Sequence, residues 1–175
     1  AIYTYNIVKA LAEQHDVFVF SRLSDKNLPD YKVMDEDRAG YSVRFMNRPE
    51  LSWVPFDASY TDARAEKIFT DYVDDVKPDV VHFQHLLGLS WTCVEEIKKR
   101  DIAVVFTLHD FWAMCPMGQR MCYTDRMLCD EIVFDKCGPC VFGNGWNWSD
   151  DRPKKDESNG KPTFEDYYAH RFRYT

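Results

Sequence analysis

The sequence has 175 residues, enough for one domain with a sizeable core. Its 22 lysines and arginines stand against 29 aspartates and glutamates, a net charge of -7 that argues against a general affinity for nucleic acid or anionic lipid. No apolar run approaches the roughly 20 residues of a membrane span, and no secretory signal is recognisable. We therefore expect a cytoplasmic protein whose six cysteines are reduced.

The N-terminal part of the chain alternates a helix with strands. Residues 1–15 place apolar side chains on one helical face, and residues 16–21 follow as a compact strand. Residues 41–48 show the alternation of a second strand. The polar segments before it, 23–30 and 34–40, are predicted to be loops.

The same alternation continues to about residue 107. Residues 61–77 have helical spacing and stop at Lys77–Pro78, and residues 79–85 form the next strand. Residues 89–100 form a helix with basic residues in its last turn, and residues 102–107 are apolar enough for a strand buried on both faces. Strands that alternate with helices imply right-handed crossovers, so the predicted class is α/β with a parallel, doubly wound, Rossmann-like sheet.

Two predicted strands end on polar, titratable residues, and ligands of open parallel sheets bind outside the carboxyl ends of the strands. His82 has the position of a core histidine, whereas Gln84 and His85 either line a pocket or cap the next helix. His109 is the stronger catalytic candidate, because an imidazole can donate to a phosphate or accept a hydroxyl proton near neutral pH. Asp110 either fixes the tautomer of His109 or forms a local turn.

Three segments resemble, in order and separation, the N-terminal domain of family 4 glycosyltransferases with the GT-B fold. They are "IYTYNIVKALAEQHDVFVFSR", "KPDVVHFQHLLGLS" and "VVFTLHDFWAMCPMGQ". The resemblance implies retaining transfer of a sugar from a nucleotide-sugar donor to a saccharide or lipid-linked acceptor, generally without a metal ion. Residues 1–175 would then be an incomplete, acceptor-side domain used in polysaccharide or glycolipid assembly.

The resemblance also implies site residues. His109 would contact the transferred sugar or the donor phosphate, and Asp110, Phe111 and Trp112 would shape the acceptor side. Gln84 and His85 would form the neighbouring rim of the acceptor site. The aromatic side chains nearby either fill a small secondary core under the insertion, which we favour, or stack on acceptor sugars or touch a membrane peripherally. We expect the family's glycine-rich loop to precede residue 1 and the donor domain to follow residue 175, so that this fragment alone would be inactive.

A cysteine-rich insertion with a polar loop is predicted over residues 113–162. Four thiolates at tetrahedral reach would make a structural zinc site, which we assign to Cys122, Cys129, Cys137 and Cys140. Two alternatives stay open, namely free core thiols, or a disulfide or redox pair at Cys137 and Cys140. The alternative function is a non-catalytic α/β binding module in which the zinc-stapled insertion docks a protein or a saccharide.

Overall fold

A computed structural model describes residues 2–48, 61–115, 118–122 and 127–131, together with Cys137 and Cys140. The chain divides into two compact units. The first comprises Ala1–Leu51 and Ala58–Thr107, and the second comprises Ser52–Asp57 and Leu108–Thr175. Most of the predicted insertion, including its polar loop at 149–162, lies outside the described residues.

The first unit holds the named helices and strands of the described chain. The helices are α1 (Ile2–Leu11), α2 (Ala63–Val76) and α3 (Thr92–Lys99). The strands are β1 (Val17–Leu23), β2 (Val33–Arg38), β3 (Tyr41–Asn47), β4 (Val80–Phe83) and β5 (Ala103–Phe106). The three predicted helices and the four predicted strands are confirmed, and β2 was not predicted. Within the described residues, no helix combines the length and the apolar character that a membrane span requires.

Local chemistry sets the ends of α2. Asp62 is its N-cap, with a side chain that accepts hydrogen bonds from the backbone N–H groups of Arg64 and Ala65. At the other end Lys77 adopts a left-handed conformation (φ 48°) and donates its N–H to the carbonyl of Val73. The following proline cannot continue the helix, as the sequence predicts.

The described strands form two sheets where the sequence predicted one. The first has the order β1-β3-β2, in which β1 and β3 are parallel and β2 is antiparallel to β3. The second contains β4 and β5 in parallel. The α/β class and the parallel pairing are confirmed, whereas the expectation of an all-parallel sheet is wrong at β2.

The segment 34–40, predicted to be a loop, instead provides most of β2. It is an edge strand, so its side chains need no apolar alternation and its charges protect the edge from unwanted pairing. Asp35 lies opposite Arg44 and accepts a hydrogen bond of 2.7 Å from its Nε. The tight turn to β3 uses Gly40 at φ 87°, a conformation that glycine adopts without strain.

A row of aromatic rings connects the layers of the first unit. Phe20 of β1 meets Phe69 of α2 at 5.4 Å between ring centroids, and Phe69 meets Phe83 of β4 at 5.9 Å. Phe106 of β5 continues the row, 6.2 Å from Phe83. Contrary to prediction, β5 is not buried on both faces, because Val105 on its other face is 47% exposed.

Candidate functional site

At the strand ends of the second sheet, two polar side chains contact the same ring nitrogen of His82. Thr107 Oγ1 lies 2.7 Å from His82 Nε2, and Gln84 Nε2 lies 2.9 Å from the same nitrogen. An amide nitrogen can only donate, so Gln84 is the donor in this contact. His82 is half-buried and joins the end of β4 to the end of β5.

His85 makes a local contact in the loop after β4. Its Nδ1 accepts a hydrogen bond of 3.0 Å from the backbone N–H of Leu87. The neutral ring therefore carries its proton on Nε2. This bond stabilises the turn after the strand, while α3 begins later, after Trp91, with no side-chain cap.

Two arginines at the ends of β1 and β3, which the sequence analysis missed, build a second polar cluster in the first unit. Arg22 Nε donates a 2.6 Å hydrogen bond to the carbonyl oxygen of Arg48. Arg48 Nη2 pairs with Asp62 Oδ2 at 2.8 Å, and both side chains are buried. The hydroxyl of Tyr31 donates to the same Asp62 oxygen, also at 2.8 Å. A sequence signal for this cluster was available, because Arg22 and Arg48 stand where predicted strands end. The same rule singled out His85 and His109.

The surroundings lower the pKa of one basic group of this cluster, Arg22, and raise the pKa of one acidic group, Tyr31. Burial and then the neighbouring Arg48 charge lower the pKa of Arg22. Burial, followed by the hydrogen bond to Asp62, raises the pKa of Tyr31. Tyr31 therefore stays protonated and can serve as a donor to Asp62 at neutral pH.

The second unit contains the remaining four candidate residues for catalysis and substrate binding, which are His109, Asp110, Phe111 and Trp112. His109, Asp110 and Phe111 are exposed, and Trp112 is half-buried. Asp110 Oδ1 accepts a 2.8 Å hydrogen bond from the backbone N–H of Trp112, which is the local turn that the sequence left open for this aspartate. The guanidinium of Arg120 lies 5.7 Å from the centroid of the Phe111 ring.

The turn after Asp110 is closed by backbone contacts. Phe111 donates its N–H to the carbonyl of Gly118 at 3.1 Å and accepts from Cys115 N–H at 2.6 Å. Gly118 has φ 71°, the left-handed region that favours glycine. The HDFW segment is therefore held as a compact turn with its histidine facing solvent.

The four cysteines assigned to zinc fall into two pairs. Cys122 and Cys129 flank the antiparallel bridge between Met121 and Leu128, where alternation places both side chains on one face. Cys137 and Cys140 have helical backbone and a spacing of one turn. None of these four cysteines is in a disulfide, so the pairing of Cys137 with Cys140 is not present.

No three metal-ligating side chains come together among the described residues, which include these four cysteines. Two pairs are present, but not a tetrahedral set. Cys93 belongs to α3 of the first unit, where its side chain is buried, and burial raises the pKa of its thiol to about 12. A thiol with such a pKa stays protonated and is inert, as expected for a core residue.

The comparisons with known proteins give one match. A sequence model described as Glycosyltransferase Family 4 matches residues 1–133. That range contains both units' candidate residues from Arg22 to Cys129. No curated protein and no solved structure matches the chain.

Proposed function

The chain belongs to glycosyltransferase family 4, and on that premise we propose that it supplies the acceptor side of a retaining glycosyltransferase in the cytoplasm. The enzyme would move a sugar from a nucleotide-sugar donor to a saccharide or lipid-linked acceptor. The family match over residues 1–133 carries this proposal. The polar residues that follow the two strands support it, namely half-buried Gln84 and His85 after β4 and exposed His109 and Asp110 after β5, because ligands of parallel α/β sheets bind beyond strand ends.

His109 is the proposed catalytic residue. Its side chain is exposed and follows β5 in the chain, within the range that the family match covers. An imidazole in such a position can donate a hydrogen bond to a donor phosphate or orient the acceptor hydroxyl. Asp110 contributes as a positioning residue, since its carboxylate holds the turn to Trp112.

The acceptor side is proposed to use aromatic and amide side chains. Phe111 is 47% exposed, and an exposed ring can pack against the C–H face of a sugar. Trp112 extends this surface within the second unit. Gln84 and His85, in the first unit, are proposed in their own right as polar acceptor-binding residues. Gln84 is held by His82, so its amide is oriented before a ligand arrives.

A structural zinc ion on the cysteine pairs remains a separate proposal. Thiolates are suitable ligands, and each pair shares one face of its local structure. The two pairs do not form a group of three or more ligands in the structure. The proposed ion is structural, and it takes no part in the proposed transfer. The alternative function, a binding module stapled by zinc, requires that the ion be present.

The transfer proposal is tested with the full-length enzyme and a panel of nucleotide-sugar donors and saccharide or lipid-linked acceptors. We expect His109→Ala to lower transfer by about 100-fold or more, the lower range for losing a group that assists proton transfer. The matched control is His15→Ala, which removes an exposed histidine after α1. Equal activity of the two variants would contradict the role of His109, and no transfer by the unmodified enzyme with any donor would contradict the transferase proposal.

A further inference from the structure

Arg120 follows the HDFW segment in the second unit and is held at two places by the segment 129–130. Its backbone has φ 51°, in the left-handed region that few residues other than glycine adopt. Its carbonyl accepts a hydrogen bond of 2.8 Å from the N–H of Cys129. Its Nη2 donates to the carbonyl oxygens of Cys129 and Asp130, the second at 2.8 Å. The backbone and the guanidinium of Arg120 are therefore both fixed.

The guanidinium of Arg120 is anchored by carbonyl oxygens and a ring. Among the described residues it forms no ion pair with a carboxylate, and its partners are those two carbonyls and the Phe111 ring. Arg120 Nε is buried and has no hydrogen-bond partner in the described part of the chain. A buried N–H without a partner is costly, so the stability of this unit alone does not account for the arginine. Such a costly arrangement indicates a role in function.

The ring that Arg120 contacts belongs to the proposed acceptor surface. The backbone of Phe111 is fixed by its hydrogen bonds to Gly118 and Cys115, whereas its side chain is 47% exposed. An exposed side chain normally changes rotamer on the picosecond to nanosecond timescale. The Arg120 guanidinium lies over the ring, 5.7 Å from its centroid, where a cation attracts the face of an aromatic ring. Because the guanidinium is itself fixed, it limits the orientations of the ring.

We propose that Arg120 is a positioning residue, which holds the Phe111 ring in the orientation that binds the acceptor sugar. A ring that is oriented before the acceptor arrives loses less conformational freedom on binding. Arg120 acts through Phe111 and makes no contact of its own with the sugar. The identity of the ligand rests on the proposed function, whereas the restraint on the ring does not.

The first measurement observes the ring without any substrate. The full-length protein is labelled with para-fluorophenylalanine at position 111 alone, and its fluorine NMR signal is recorded. Arg120→Met removes the charge and both side-chain hydrogen bonds, so the signal should shift and become narrower as the ring moves faster. The control is Arg64→Met, which removes an arginine 4.4 Å from the ring centroid of Tyr31 in the first unit and should leave the signal unchanged. The same signal in Arg120→Met as in the control would overturn the proposal.

The second measurement separates acceptor binding from the chemical step in the full-length enzyme. Arg120→Met should raise the acceptor KM about two- to fivefold, which corresponds to the loss of an exposed cation–π contact. The kcat and the donor KM should stay unchanged, because the ring contributes to binding only. Arg120→Lys keeps a charge near the ring, so its acceptor KM should lie between those of Arg120→Met and the unmodified enzyme. An unchanged acceptor KM with a lower kcat would contradict the positioning role.

A double-mutant cycle shows whether Arg120 acts through the ring. In a Phe111→Ala background, Arg120→Met should change the acceptor KM no further, since no ring remains to be oriented. Additive effects would mean that Arg120 acts independently of Phe111, and would overturn the proposal. Should Arg120→Met fail to fold, the same cycle with Arg120→Lys decides the matter. A fluorine signal that responds as expected in an enzyme that transfers no sugar would contradict the transferase proposal, and the restraint on Phe111 would stand.

Discussion

The buried ion pair between Arg48 and Asp62 should be the most sensitive polar contact of the first unit, and Asp62→Asn tests it. Asparagine is as good an N-cap as aspartate, so its carbonyl oxygen can still accept from Arg64 and Ala65. What the substitution removes is the negative charge 2.8 Å from Arg48 Nη2. The Arg48 side chain is 8% exposed and cannot lose its proton, so an uncompensated charge would stay buried.

Removing one partner of a buried ion pair costs about 3–5 kcal/mol of unfolding free energy. We expect a loss in that range for Asp62→Asn, measured by urea denaturation followed by circular dichroism. The control is Asp71→Asn, which breaks the exposed pair between Lys67 and an aspartate that is 57% exposed. That loss should be no more than about 0.5 kcal/mol.

A second substitution separates the ion pair from other effects at the same position. Replacing Arg48 by methionine in the Asp62→Asn background removes the orphaned charge and should recover part of the lost stability. A loss of less than about 1 kcal/mol for Asp62→Asn, or no recovery in the double variant, would refute the reasoning. In that case water would be reaching the pair in solution.

Three further outcomes are expected. Gly88→Ala should lower the thermal midpoint, because alanine is strained at φ 77° and its Cβ would overlap the Arg22 stem; an unchanged midpoint would show that the loop moves aside. Burial, then the charge of Glu96, raises the pKa of Glu66, so its ionisation opposes folding as pH rises above about 4.5. Glu66→Gln should therefore raise the thermal midpoint at neutral pH and lose that advantage near about pH 4, and an equal gain at both pH values would contradict this cause. Elemental analysis with thiol titration under reducing conditions should find about one zinc per chain if the cysteine pairs bind it, and freely reactive thiols without metal would remove the zinc site.

Periodicity was sufficient for the elements that pack on the core. The helix α2 was predictable because Phe69, Tyr72 and Val73 must share a buried face, and Pro78 ends it. The strand β2 was not predictable in this way, because an edge strand is held by its hydrogen bonds to β3 and by cross-strand pairs such as Asp35 with Arg44. Its turn residue, Gly40, was the sequence signal that the polar composition obscured.

The contacts between candidate site residues could not be predicted from the sequence, because they depend on how distant strands pair. The strand-end rule found Gln84 and His85 by their position in the sequence, but the contact from His82 to Thr107 depends on the register of β4 against β5. The exposure of Val105 likewise depends on which face the rest of the unit covers, since an apolar run fits either arrangement.

Arg22 and Arg48 were also missed because strand pairing is not visible in the sequence. A histidine at a strand end attracts attention because its chemistry is versatile, whereas an arginine is normally taken for a solvated surface charge. The proximity of Arg22 and Arg48 becomes apparent only when β1 and β3 are known to be parallel neighbours, because that pairing brings two cations to one edge. A charged residue that ends a predicted strand therefore deserves a functional hypothesis whenever a second predicted strand ends in the same way.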